Sequence, residues 1–260
     1  MDGEHEAGGE ALVQVTHLTM AFGDEVVQRD LQFDIRRGEV LAIMGPSGCG
    51  KSTLLRHLIG LQAPAAGQVL YGGQDLHQCD DETLAELRRR FGVMFQSGAL
   101  WSSMSVGENV MLPLRLFSRQ GVAERRQRAR WKLALVGLAD AFDLEPAELS
   151  GGMRKRAAIA RALALDPELL YLDEPSSGLD PLSSARLDGL ILNLRRHLGT
   201  TVVMVSHSID SVFAVADRAL YLDPQDKTML ALDAPKALAE HGPPRVREFL
   251  RRHVVTGARP

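Results

Sequence analysis

Cysteine is almost missing from this sequence, with only Cys49 and Cys79 among 260 residues. Two thiols make no disulfide framework, which fits a reducing compartment and leaves both free. Aromatic side chains amount to 5%, and no basic stripe interleaved with aromatics supports nucleic-acid contact. No charge sign dominates: 30 Lys and Arg face 33 Asp and Glu, for a net charge of −3, so no overall field draws the chain to polyanions or anionic lipid. Nor is there a run of the ~18 apolar residues that a spanning helix needs. The longest uncharged stretch, Phe91 to Gly107, is broken by Gln96, serines and glycines. Asp2, Glu4, Glu6 and Glu10 precede the first Lys or Arg, Arg29, the reverse of a signal or transit peptide. The expectation is a cytoplasmic chain, neither exported nor membrane-spanning. Its 45% hydrophobic and 24% charged residues are those of an ordinary globular protein of one large or two small domains.

Residues 1 to 10 are acidic and glycine-rich without apolar period, and a disordered tail is expected there. Val13, Val15 and Leu18, then Leu31, Phe33 and Ile35, alternate with polar residues as half-buried antiparallel strands do. Val40 to Met44 is instead continuously apolar, ends in glycine, and is followed by Leu54, Leu55, Leu58 and Ile59 at helical spacing, hence strand, loop, helix. Leu169 to Leu172 ends in Asp173 and Glu174, and Thr201 to Val205 ends in Ser206 and His207. Short buried strands alternating with helices predict a parallel sheet. Residues 84 to 165, rich in arginine and helix formers, read as a helical insertion. Within it Ser105 and Glu108 have capping-box spacing, and Trp131, Leu135 and Leu138 mark one face of a further helix. The main domain is expected over residues 11 to 240, with a C-terminal helix and basic tail over 241 to 260. There Val246, Phe249 and Leu250 recur at helical spacing among five arginines, either as an amphipathic helix with a frayed end or as a segment that docks on a partner or on lipid headgroups.

Gly45 to Ser52, GPSGCGKS, fits the G-x-x-x-x-G-K-S/T phosphate loop. A chance match is expected in roughly 0.4% of chains of this composition, which makes accident a weak explanation. Gly45, Gly48 and Gly50 let backbone N–H groups turn inward around phosphates at a helix N-terminus. Lys51 supplies a compact point charge between β- and γ-phosphates, and Ser52 is a candidate Mg2+ ligand. The LLYLDE segment delivers Asp173, a candidate to hold Mg2+ through water, and Glu174, a candidate to polarise the attacking water. Carboxylates at strand ends also serve as helix caps, a reading that the upstream phosphate loop weakens. In LSGGM, Leu149 to Met153, Ser150 can be an ordinary N-cap. Yet Gly151 and Gly152 just inside a helix cost about 1 kcal/mol each against alanine, a cost that close approach of an anion explains.

The ordered set Gly45 to Ser52, Gln96, Ser150 to Gly152, Asp173 with Glu174, Ser177 to Asp180, and His207 resembles the ATP-binding-cassette (ABC) ATPases over residues 11 to 240. Residues 95 to 114 and 243 to 250 look like the ATPases of Mla (maintenance of lipid asymmetry) phospholipid transporters, and the related Mce-type lipid importers share much of the first segment. The resemblance implies a P-loop NTPase cassette of α/β class: a mostly parallel RecA-like core, an antiparallel β subdomain and an inserted helical subdomain. It implies ATP held by Gly45, Pro46, Ser47, Gly48, Cys49, Gly50, Lys51, Ser52 and Thr53, with Mg2+ held by Ser52, Gln96 and Asp173. Phe22 would stack on adenine, a packed core phenylalanine being the alternative. Gln96, ending the apolar strand FGVMF, would sense the γ-phosphate, and His207 would bond it and orient Glu174. Ser150, Gly151 and Gly152 would reach the γ-phosphate held by a second copy, and Asp180 would contact that copy near its phosphate loop.

Where the family usually has LSGGQ this chain has Met153, a departure that bears on hydrolysis rate more than on ATP binding. Cys49, inside the loop, predicts sensitivity to alkylation unless packing hides its sulfur. The partners implied are a second ATPase subunit, integral-membrane permeases, a periplasmic lipid-binding subunit and a small cytoplasmic regulatory subunit, at the cytoplasmic face of the inner membrane. Permease helices would dock beside Gln96, with Leu100, Trp101 and Met104 either lining that groove or belonging to the helical core. Two other readings remain open. One is a soluble cassette protein of DNA repair or translation, although such chains generally carry a coiled-coil insertion or two tandem cassettes. The other is a nucleotide-dependent assembly module whose hydrolysis is incidental.

Overall fold

A computed structural model describes residues 10 to 256, with side chains as far as residue 251. The expected acidic tail lies outside the described residues except for Glu10, as do the last four residues of the basic tail. The chain opens with two long strands, β1 (Ala11–Phe22) and β2 (Glu25–Arg36), followed by β3 (Val40–Met44) and the helix α1 (Lys51–Leu58). After β4 (Ala66–Tyr71), β5 (Gln74–Asp75) and α2 (Asp81–Arg89), the strand β6 (Phe91–Met94) leads into α3 (Val106–Phe117), α4 (Val122–Leu135) and α5 (Gly151–Ala162). The remainder alternates as β7 (Leu169–Asp173), α6 (Pro181–Leu198), β8 (Thr201–Val205), α7 (Ile209–Val215), β9 (Arg218–Asp223), β10 (Thr228–Asp233), α8 (Pro235–His241) and α9 (Pro244–Thr256).

Two sheets result. One is antiparallel, in the order β2-β1-β4-β5, and the other has the order β10-β9-β3-β8-β7-β6. The second is parallel except at β10, which runs antiparallel to β9. The parallel strands are buried on both faces, the reason their sequences are unbroken apolar runs. Val40, Ala42 and Met44 of β3 join a core shared with the helices, while Leu41 and Ile43 join the core that the antiparallel sheet closes. Leu170 and Leu172 against Leu169 and Tyr171 divide β7 in the same way. In β1 the spacing from Val15 to Leu18 is one residue too long for simple alternation. The pairing with β2 shifts there and His17 adopts φ 48°, a bulge that returns Leu18 to the buried face.

One expectation is corrected and two are sharpened. The apolar strand FGVMF is present as Phe91–Met94 and pairs with β7 as an edge strand of the large sheet, so the helices of the insertion begin only at Val106, where Ser105 and Glu108 form the capping box. Trp131 is 53% exposed, because α4 instead buries Ala129, Lys132 and Leu133. The buried face includes a lysine whose ammonium bonds the Asp166 carboxylate, so an apolar count rotates the stripe by about one residue. The stripe of α9 is used within the chain: Val246 and Leu250 are buried, and the Phe249 ring meets Tyr221 edge-on at 5.3 Å.

Gly92 marks the closest approach of α5 to the sheet: a Cβ there would lie 2.1 Å from the carbonyl oxygen of Ala162. Backbone cannot swing aside as a side chain can. We expect Gly92→Ala to cost about 3 kcal/mol of stability, seen as a urea midpoint lowered by roughly 1 M; an unchanged midpoint would show that α5 is free to retreat.

Candidate active site

The loop after β3 is shaped by its glycines. Gly45, Gly48 and Gly50 have φ of 147°, 80° and 99°, values that residues with a Cβ rarely adopt. A Cβ on Gly45 would also sit 2.5 Å from Leu222 O, and one on Gly50 would sit 2.7 Å from Val27 Cγ1. Gly50 is the N-cap of α1 and offers no side chain to the helix N–H groups, and the first turn holds no acid. The positive end of α1 is therefore open to an anion. The Lys51 ammonium donates to Gly45 O and Pro46 O, both at 2.9 Å, which fixes its charge over the loop.

Gln28 braces the same loop from β2, its Nε2 donating to Cys49 O at 2.8 Å and to Asp223 O at 3.0 Å. It is fully buried. The sequence reading missed it, since a lone glutamine in an alternating strand is indistinguishable from a surface residue.

At the end of β7, the Asp173 carboxylate accepts from Ser52 Oγ at 3.2 Å. Burial pushes its pKa above the usual aspartate range, against the hydrogen bond from Ser52. Glu174 follows with φ 50°, a left-handed backbone uncommon outside glycine and asparagine. Its N–H is held by Val205 O at 3.0 Å, and its Oε2 lies 2.5 Å from His207 Nδ1. Neither carboxylate caps a helix. The cap of α6 is Asp180, whose side chain accepts from Ser183 N at 3.0 Å, and that bond lowers its pKa.

Phe22, Lys51, Ser52, Gln96 and Glu174 line one open cleft of about 390 Å3. Phe22 is 53% exposed at its mouth, which excludes the core-phenylalanine alternative. Ser150, Gly151, Gly152 and Asp180 do not line this cleft, and His207 lines a neighbouring one with Ser177 and Gly178. Ser150 caps α5 by accepting from Met153 N at 3.3 Å. Gly151 and Gly152 have no positive φ, and a Cβ on either meets only ordinary contacts, at 3.7 and 3.5 Å. Nothing in their own chain demands glycine.

Lys155 was also missed, hidden among the arginines of α5. It is buried and its Nζ bonds Gln96 O, Glu174 O and Ser177 Oγ. Beyond Gln96, Trp101 is 58% exposed, while Leu100 packs against the helical core. Buried Asn109 pins that loop through Trp101 N and O and Met104 O.

Among the described residues no group of three or more His, Cys, Asp and Glu is gathered to hold a metal. The oxygens on offer are the Ser52 hydroxyl, the Gln96 amide and the Asp173 carboxylate behind Ser52. That hard, incomplete set suits Mg2+, which keeps waters and takes substrate phosphate oxygens.

For Cys49 the exception holds, since packing hides its sulfur. Its thiol is buried and burial raises its pKa, more than Lys51 beside it lowers it. Iodoacetamide should label the partly exposed Cys79 first and reach Cys49 only on unfolding. Peptide mass spectrometry after native labelling checks this; equal labelling of both would refute it.

Residues 28–177 match the family model of the ABC transporter. The intermembrane phospholipid transport system ATP-binding protein MlaF of Haemophilus influenzae is 40% identical over 240 residues, covering 92% of this chain and 90% of that protein. The MlaF of Escherichia coli K12 is 41% identical over 239 residues, 92% of this chain and 88% of that protein. A probable ribonucleotide transport ATP-binding protein of Mycobacterium tuberculosis H37Rv is 40% identical over 92% of this chain and 66% of its own length. Among solved structures, the dimeric post-hydrolysis state of the ATP-binding cassette MJ0796 bound to ADP and Pi superposes with a TM-score of 0.77 and 33% identity, covering 86% of this chain and 98% of that one. The cbiO1 protein of Clostridium perfringens, part of the ABC transporter complex cbiONQ, gives 0.81 at 27% identity, covering 95% of this chain and 94% of that one. The chain belongs to the ABC transporter family, as an ATP-binding subunit that hydrolyses ATP.

Proposed function

We propose that two copies of this chain enclose two ATP molecules, each held by the phosphate loop of one copy and the Ser150–Gly152 helix start of the other. The observation that carries this reading is the pair Gly151 and Gly152. They lie outside their own chain's cleft and are uncrowded there, so the demand for two glycines comes from a ligand brought by another molecule. That the MJ0796 cassette is dimeric, with ADP and Pi bound in one of its structures, supports the pairing of two copies.

In the cleft, the open N-terminus of α1 and the Lys51 ammonium take the β- and γ-phosphates, and Phe22 takes the base face. Ser52 and Gln96 would hold Mg2+, with Asp173, hydrogen-bonded to Ser52, supporting it from behind. The ion supplies charge neutralisation on the transferred phosphoryl group. Glu174 orients and polarises the attacking water, and His207 fixes the direction of the Glu174 carboxylate while its other nitrogen reaches the γ-phosphate. Losing the γ-phosphate removes contacts that join the two copies, which makes hydrolysis a two-state switch. Asp180 meets the partner copy near its phosphate loop, and exposed Trp101 belongs to the surface that receives a membrane permease.

We assign the cargo as phospholipid moved between inner and outer membrane, on the two MlaF relatives. The assembly then includes permease, periplasmic lipid-binding and small regulatory subunits at the cytoplasmic face of the inner membrane. Among the described residues no helix is long and apolar enough to cross a membrane, so permease subunits must supply the path.

Glu174→Gln should keep ATP affinity and slow hydrolysis by ~10²–10⁴-fold, about 3–5 kcal/mol of barrier; near-normal steady-state turnover removes Glu174 from this role. Lys51→Ala should abolish tight binding in a nucleotide titration, and wild-type affinity would refute the phosphate site. Mass spectrometry of the detergent-purified complex should find phospholipid. A nucleotide cargo instead would favour the reading that the equally similar mycobacterial relative suggests.

A further inference from the structure

Lys155 has no part in the proposed chemistry, yet its placement is costly. A buried ammonium loses several kcal/mol of hydration unless its surroundings replace it. Its hydrogen bonds go to two backbone carbonyls and a hydroxyl: Gln96 O, Glu174 O at 3.0 Å and Ser177 Oγ at 3.4 Å. Burial lowers its pKa, while the nearby Glu174 and Asp173 carboxylates raise it. Ser177 Oγ donates to the same Glu174 carbonyl at 3.0 Å. A second tie runs from α5 to the same loop: Arg161 donates to Ala99 O at 2.7 Å and to Gly98 O at 2.9 Å. The helix that starts at Ser150 is thus fastened to the two backbone points from which the Gln96 and Glu174 side chains project. Lys155 is five residues into that helix, about 7–8 Å along its axis from Ser150.

We propose that Lys155 is a positioning residue for hydrolysis, locking Gln96 and Glu174 to the helix whose N-terminus serves the other copy's nucleotide. Each site's water-orienting groups then depend on how the neighbouring site is engaged. This rests on the two-copy reading above, because only there do α5 and Glu174 serve different nucleotides.

The test is steady-state ATP hydrolysis by the full chain with Mg2+, paired with titration of a fluorescent ATP analogue. Lys155→Met keeps the length and removes every donor. It should lower kcat by about 10–100-fold and leave nucleotide affinity within about twofold, since the phosphate loop is untouched. Lys155→Gln keeps two donors without charge, and we expect a loss of only about two- to fivefold in kcat. A Lys155→Met variant with wild-type kcat, or one whose affinity falls as far as its kcat, overturns the assignment. Should Lys155→Met fail to fold, Lys155→Gln decides, and wild-type kcat there overturns the proposal. Sedimentation of Glu174→Gln with Mg2+ and ATP serves as the reference: a variant that stays single sinks the two-copy reading of the site, whereas a nucleotide-dependent dimer beside an indifferent Lys155→Met sinks only the role given to Lys155.

Discussion

Burial of the parallel strands on both faces is the constraint on which the rest of this molecule depends. Because β3, β6, β7 and β8 run the same way, their carboxyl ends emerge along one edge, the edge where open α/β sheets place ligands. Each strand hands over chemistry at that edge: Gly45 to Ser52 after β3, Gln96 after β6, Asp173 and Glu174 after β7, His207 after β8. Polar residues cannot appear earlier without entering one of the two cores.

The edge also explains why neighbouring carboxylates behave differently. Asp173 continues the pleat and faces α1, where Ser52 meets it and burial opposes its ionisation. Glu174 leaves the pleat through a left-handed backbone and turns to His207. A strained residue at this point turns two adjacent carboxylates to different partners, Ser52 and His207. Strain of this kind costs about 1–3 kcal/mol, and the Glu174 N–H bond to Val205 O helps to hold it.

Much of this was legible in the residues. The runs VLAIM, LLYLD and TVVMV announce doubly buried strands because nothing but apolar side chains fits there, and the Ser105–Glu108 box fixes a helix start through backbone chemistry alone. The parts that were not legible share a cause. Gln28, Lys132 and Lys155 are polar residues inside the protein, and periodicity assigns such residues to the surface; their partners, at Cys49 O, Asp166 and Glu174 O, are 21, 34 and 19 positions away. For Cys49 the residues left two outcomes open, and the structure decides between them: its sulfur is buried beside Gly45. The strand β6 was legible as the apolar run FGVMF, but not its place at the edge of the large sheet, because four residues between a helix and a long loop carry no signal of which strand they pair with.

Gln28 carries one more consequence. Its amide nitrogen bridges the phosphate loop and the end of β9, yet it grows from β2, in the same antiparallel sheet that ends in Phe22. The aromatic ring at one end of the cleft and the glycine cradle at the other are therefore keyed to a single rigid frame, and the gap between them is a gauge of fixed length. Under the proposed reading of the cleft, a molecule too short to span it would gain only one of the two contacts.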